Sequence, residues 1–331
     1  MAIRSMKFKV EQFQPSQSHR WNDFVDNSNE GTLFHRLDFL AYHGEKFDKN
    51  EHHLIIHKGQ AIHAVMPLAI FDEDGRRIAK SPYGGSYGGP VFSKPQNYQD
   101  SHGVVEAILE YLKSQGVSDF TLTLPTSVCY RRYSETLRLV LLERGFQCIN
   151  RDISSVVCLD KNNPASKEMA SRVRNTERKA RKARKMGIDV VRHAPIADFW
   201  QVLEMTFAKH DSKPTHTLAD LQWLHERNAE RVYVDIATLD GIPVAGVGYF
   251  VINQNVNSSF YLCQDPQRQQ AQGLSLLIHE ALERAQKAGF RWFDLGTSSA
   301  QMQGRPNIFR FKESFGAIGV FRETYLWHQS Q

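Results

Sequence analysis

Turn and helix-stop signals recur along this chain at a near-constant offset. Gly59 sits between two strand-like runs in His57-Lys58-Gly59-Gln60, and Gly241 follows Asp240 in the same setting. Gly116 and Gly289 each close an amphipathic helix, and Gly145 and Gly316 each close the helix after that. The members of each pair lie about 170 to 180 residues apart, and the segments between them match in type and order. Glycine suits these places because tight turns and helix C-termini call for positive φ. The spacing predicts a duplicated α/β module, each copy running helix, helix, hairpin, strand, helix, strand, helix, strand.

In the first copy, Trp21 to Val25 and Phe34 to Phe47 read as helices, and HLIIHKGQAIHAVMPLAIF reads as a hairpin. Ser81 to Gly89 is a glycine- and tyrosine-rich loop that reads as flexible. Gly103 to Gly116 carries Val104, Ile108, Tyr111 and Leu112 on one helical face. In the second copy, Leu274 to Ala288 places Leu274, Leu277, Ile278, Ala281, Ala285 and Ala288 inward. It is followed by the strand FRWFDL and a helix from Asn307 to Phe315. The expected domains are 1–160 and 161–318, with a C-terminal strand over 319–329 returning to the first. A basic helix over 166–187, SKEMASRVRNTERKARKARKMG, joins them. Met169, Val173, Ala180 and Ala183 form its narrow apolar stripe, and its charges read equally as a solvated face or as a grip for phosphates.

Hydrophobic residues make up 41% and charged residues 23%, which argues against disorder. The formal net charge of +5 suits an anionic small substrate as well as nucleic acid. Cys129, Cys148, Cys158 and Cys263 form neither a CxxC pair nor a zinc spacing, so free thiols and a reducing, cytoplasmic setting are expected. No apolar run approaches the roughly 20 residues of a membrane helix. His52, His53, His57 and His63 fall on the first hairpin without a cysteine or carboxylate to complete a metal site, and none is assigned.

Several side chains suit chemistry at the end of a sheet. Asp294 ends a strand, where it would orient an amine or act as general base, or equally cap the loop that follows. Tyr261, in SSFYLCQ, is a substrate-binding candidate and also a natural core aromatic. His210, in FAKHDSKPTHT, suits proton transfer at neutral pH. Tyr83, Gly84 and Tyr87 would line a cleft in the first copy.

Four stretches, WNDFVDNSNEGTLFHRLDFL, SPYGGSYGGPVF, VRNTERKARKARKMGIDV and FDLGTSS with NIFRFKESFGA, carry a resemblance to the FemAB-like tandem GNAT proteins and their BioF2-like branch. The resemblance spans nearly the whole chain. It implies an α/β (α+β) fold of two tandem GNAT-like domains, each a mixed, mostly antiparallel sheet flanked by helices. It also implies amide formation between an activated acyl donor, acyl-CoA or aminoacyl-tRNA, and a small-molecule amine on a cell-envelope or polysaccharide precursor. A charged-tRNA-dependent peptidoglycan bridge ligase is one alternative. A non-catalytic module binding an anionic ligand or RNA is the other. The family's late Phe-Lys pair falls on Phe311 and Lys312, with Arg310 beside them. On that match Lys312 would stabilise the oxyanion, whereas a lone lysine there would complement a helix C-terminus. The acyl-CoA phosphate loop corresponds to RQQAQGLS, which has a single glycine, so Gln272, Gly273 and Leu274 are the cofactor-binding candidates.

Overall fold

The computed structural model describes residues 8–160, 176–209 and 212–329. It comprises two compact units. One holds the residues up to Asp152 together with those from Phe321 onward, and the other is Ile153–Val320.

The first unit begins with β1 (Phe8–Gln12) and α1 (Ser18–Asn27), which buries Trp21 and Val25. The hairpin β2 (Leu54–Lys58) and β3 (Ala61–Met66) turns at Gly59. A second hairpin, β4 (Ala69–Glu73) and β5 (Arg76–Ser81), follows, and then the short β6 (Val91–Phe92). Helix α2 (Tyr98–Ser114) crosses over to β7 (Asp119–Thr123), which runs parallel to β5. Asn97 fixes the start of α2 by accepting from the Asp100 N–H, so the helix opens earlier than the Gly103 expected from its apolar face. Helix α3 (Thr136–Glu143) leads into β8 (Gln147–Cys158), and the division between units falls inside that continuous strand. The terminal strand β16 (Ile318–His328) pairs antiparallel with β7, and its Tyr325 and Trp327 join the core around Phe120, Leu122 and Leu141.

The expected helix over Phe34 to Phe47 is broken. Arg36 is extended (φ −82°, ψ 133°) and Gly44 is at φ 53°, ψ −139°, leaving one helical turn over Leu37–Leu40 between two 3-10 segments. Apolar spacing alone carries no record of those two backbone conformations.

The second unit opens on the residues of β8 from Ile153 on. Helix α4 (176–185) and the edge strand β9 (Ile188–Val191) follow, then α5 (Ile196–Ala208) and α6 (Leu218–Arg227). The expected basic helix over 166–187 is helical over 176–185 and ends in a turn at Met186 and Gly187, and 166–175 lie outside the described residues. Strands β10 (Val232–Leu239), β11 (Ile242–Val251) and β12 (Val256–Gln264) form an antiparallel meander, and α7 (Gly273–Lys287) crosses to β13 (Trp292–Thr297), parallel to β12. A small ladder, β14 (Ser299–Ala300) with β15 (Gln303–Gly304), precedes α8 (Pro306–Glu313). Adjacent strand residues face opposite ways, and they bring a helix to each side of the sheet. Gly246 lies against Phe199 of α5, while Ala245 meets the start of α7 at Gly273.

Both units therefore contain an antiparallel hairpin, a helical crossover to a parallel strand, and an antiparallel strand beyond it. The paired glycines match in conformation as well as in order: φ 64° and 76° at the hairpins, 73° and 89° after the crossover helices, and 86° and 83° after the next helices.

Candidate active site at the parting of two parallel strands

Strands β12 and β13 stay paired only from Val256 with Trp292 to Ser258 with Asp294. Beyond that point each keeps its other neighbour. Tyr261 pairs with Gly248 of β11, and Thr297 with Ser154 of β8. Both outer ladders also slip there. Phe260 is an extra residue between the Ser259–Tyr249 and Tyr261–Gly248 pairs, and the other ladder shifts between Asp294 and Thr297, where Gly296 has φ 79°. The strands thus separate at their C-terminal ends, where open α/β sheets form their ligand sites and where bulges re-aim backbone and side chains.

Asp294 organises the floor of this opening. One carboxylate oxygen, Oδ1, accepts from the Ser154 hydroxyl and from the Gly296 N–H, each at 2.7 Å. The second contact is the loop-capping role, and it fixes the turn through Gly296 and Thr297. That turn presents two carbonyls to α8. The Lys312 Nζ donates to Gly296 O at 2.8 Å and to Thr297 O at 2.7 Å. Lys312 is only 5% exposed. Burial pushes its pKa down to about 8, Asp294 opposes that shift, and Arg305 adds to it. A cation is thereby held in a low-dielectric setting by acceptors that cannot neutralise it.

Serines complete the surroundings. Ser155 and Ser298 hydroxyls lie 2.6 Å apart, Ser299 accepts from the Ile153 N–H at 2.8 Å, and Ser259 reaches Asp294 O at 3.4 Å. None of these serines is among the candidates read from the sequence. In the sequence they stand as three Ser-Ser pairs, 154–155 on β8, 258–259 on β12 and 298–299 directly after β13.

The first unit has a different residue at the corresponding place. Lys312 lies four residues before Gly316, and the residue four before Gly145 is Leu141, buried in the core. The third residue of β13 is Asp294, and that of β7 is Thr121. The loop after β5 packs back on β7, with Gly88 N–H donating to Thr123 O.

The remaining candidates are dispersed. Tyr261 is buried among Phe199, Phe207 and Phe260. Its hydroxyl accepts from the His216 N–H at 3.2 Å and lies 2.8 Å from His216 Nδ1, and burial raises its pKa. His210, the histidine candidate from the sequence, lies outside the described residues, and it is His216 that meets Tyr261. Phe311 packs on Phe315, and Arg310 is exposed. Gln272 is left-handed at φ 62°, and Gly273 begins α7. A methyl group on Gly273 would come within 3.2 Å of Ala237 Cβ and 3.3 Å of Ala245 Cβ, so helix-to-sheet contact accounts for this glycine, and Leu274 beside it is buried.

In the first unit, Tyr83 and Tyr87 are buried and their loop is tied down, contrary to the flexibility expected of it. The Tyr83 hydroxyl donates to Glu51 at 2.9 Å, Gly84 O accepts from the Tyr42 hydroxyl at 3.1 Å, and Arg322 donates to Ser86 O at 2.8 Å. Gly84 has φ 70°, and a Cβ there would fall 2.4 Å from His43 Nε2. Among the described residues no cluster of His, Cys, Asp or Glu is placed to hold a metal ion, and no helix is long and apolar enough to cross a membrane.

Comparison with known proteins agrees with this architecture. Residues 169–312 match the family model described as an acetyltransferase (GNAT) domain, and no curated protein matches the sequence. Among solved structures, FemX superposes with a TM-score of 0.72 at 11% identity, covering 96% of this chain and 97% of its own. The C-terminal domain of a putative lysylphosphatidylglycerol synthetase from Agrobacterium fabrum gives a TM-score of 0.57 at 12% identity, over 95% and 92%. A tandem GNAT protein from the clavulanic acid biosynthesis pathway gives 0.55 at 12%, over 98% and 100%. The chain has the tandem GNAT fold, and its residues 169–312 match the GNAT acetyltransferase domain.

Proposed function

We propose that the protein is an N-acyltransferase. It would join an activated acyl group, carried as an acyl-CoA thioester or an aminoacyl-tRNA ester, to a primary amine on a small cell-envelope or polysaccharide precursor in the cytoplasm. The observation that carries this reading is Lys312, a buried cation at the parting of β12 and β13.

In the reaction the amine nitrogen attacks the acyl carbonyl carbon and a tetrahedral oxyanion forms. The carbon–sulfur or carbon–oxygen bond then breaks, and the amine gives up one proton. The Lys312 ammonium supplies fixed positive charge for the oxyanion. Asp294 acts through the turn that holds Lys312 in place. Among the other candidates, His210 falls to proton transfer, Tyr261, Phe311 and Arg310 to substrate binding, and Tyr83, Gly84 and Tyr87 to a substrate cleft within the first unit. Gln272, Gly273 and Leu274 fall to the donor phosphates.

Incubating the purified protein with acetyl-CoA, longer acyl-CoAs and charged tRNA against pooled amines tests the reading. Amide formation that depends on Lys312 supports it. An anionic ligand bound equally well by wild type and Lys312→Ala, with no donor consumed, would mark a binding module instead.

A further inference from the structure

Positive charge on the second unit is concentrated in one place. Residues 176–193 hold seven lysines and arginines against two acids, a net of five, as large as the formal +5 of the whole chain. Ala180 and Ala183 turn one side of α4 into the core, so Arg181, Lys182, Arg184 and Lys185 are exposed. Two arginines from different elements share one acid. Glu280 of α7 is buried and accepts from Arg184 and, at 3.1 Å, from Arg192. Each arginine side chain is more than half exposed, and a guanidinium carries five N–H donors. Both line an open cleft of about 580 Å³ with Asp189 and Val190.

A buried carboxylate that orients two exposed guanidinium groups lowers the ordering cost of binding a phosphate there. Apolar side chains stand at the same end of the sheet. Met186, directly after Lys185, is 40% exposed, and Ile242 is 50% exposed. The pairing of Ile188 with Leu239, and of Leu239 with Ile242, brings them to the β10–β11 hairpin end.

We propose that this face of the second unit docks on an anionic membrane surface. The phosphate groups of acidic phospholipids would occupy the Arg184–Arg192 cleft and the outer side of α4, and Met186 and Ile242 would enter the layer beneath. That apolar pair favours a bilayer over RNA, because a bilayer offers hydrocarbon just below its phosphates and a sugar-phosphate backbone does not. The inference stands apart from the acyl-transfer reading, since none of these residues belongs to that site.

Flotation of the full chain with vesicles tests it. Vesicles of phosphatidylcholine with phosphatidylglycerol should carry the protein, and pure phosphatidylcholine should not. Lys182→Glu with Lys185→Glu should weaken binding roughly tenfold or more, and added salt should do the same. Met186→Ser with Ile242→Ser should weaken binding severalfold while leaving the salt dependence in place. All four positions are exposed, so thermal unfolding should match wild type, and amide formation on soluble substrates should be unchanged. Competition by inorganic phosphate alone, with no preference for vesicles, would reduce the cleft to a small-anion site and overturn the proposal. Binding to a tRNA pool with no binding to acidic vesicles would overturn it in favour of RNA.

Discussion

Lys312 carries its charge where burial disfavours one, and this has consequences that can be measured separately. If the cation stabilises the oxyanion, replacing it with the uncharged, similarly long methionine should cut turnover by about a hundredfold to a thousandfold. Donor binding, followed by calorimetry, should change little. Because the pKa is about 8, donor-saturated turnover should fall as pH rises through that value. A neutral lysine acting as base would make it rise over the same range. The folding equilibrium gives an independent sign. The folded-state pKa lies below the ordinary 10.5, so between about 8 and 10.5 the unfolded chain binds the extra proton, and stability grows with pH by up to about 3 kcal/mol. Denaturant titrations of wild type against Lys312→Met should show that slope only in the wild type. Asp294 is expected to act through geometry. Asp294→Asn retains an acceptor for Ser154 and Gly296 and should be much milder than Asp294→Ala.

At the level of elements, α7 shows how a residue noticed for one reason can be required for another. Gly273 stands out as the single glycine of a degenerate phosphate loop, yet its surroundings are the Cβ atoms of two strand residues that cannot swing aside. Gly273→Ala should destabilise the fold by about 1 to 3 kcal/mol through overpacking, read as a lower unfolding midpoint even without ligand. The turns and helix stops were legible in the sequence because their cause is local: a hairpin or helix end needs positive φ, and glycine supplies it. The lysine was legible only through its place before one of those stops. The serine pairs, the His216 partner of Tyr261 and the burial of Tyr83 and Tyr87 were not. Each depends on strands or loops far apart in sequence meeting in space, and the same residues would read as ordinary surface or loop positions otherwise. The broken helix after Phe34 belongs with them, since its apolar positions are filled correctly while Arg36 and Gly44 leave the helical region.

For the molecule as a whole, the described residues place the lysine-bearing site in the second unit, and the first unit depends on residues at the far end of the chain. Glu323 on β16 accepts from buried Arg138 at 2.7 Å and from Arg151 at 2.8 Å, and Tyr325 and Trp327 fill the same core. A fragment ending at Val320 would leave Arg138 buried without its carboxylate and expose that core. We expect it to lose the cooperative unfolding of the first unit in calorimetry, and a peptide spanning 318–331 added in trans should restore it. The Glu323 pKa lies below the ordinary carboxylate value despite burial, because Arg138 and Arg151 hold the charged form. Its stabilising contribution is therefore complete above about pH 4.5 and is lost as pH falls through the folded-state value. The measurement that bears most directly on the whole account is single-turnover amide formation, with donor held in excess, in wild type and Lys312→Met side by side. We expect wild type to form amide, and the variant to bind donor as tightly while forming amide at least a hundredfold more slowly. Equal rates in the two proteins would contradict the assignment of acyl transfer to the site between β12 and β13.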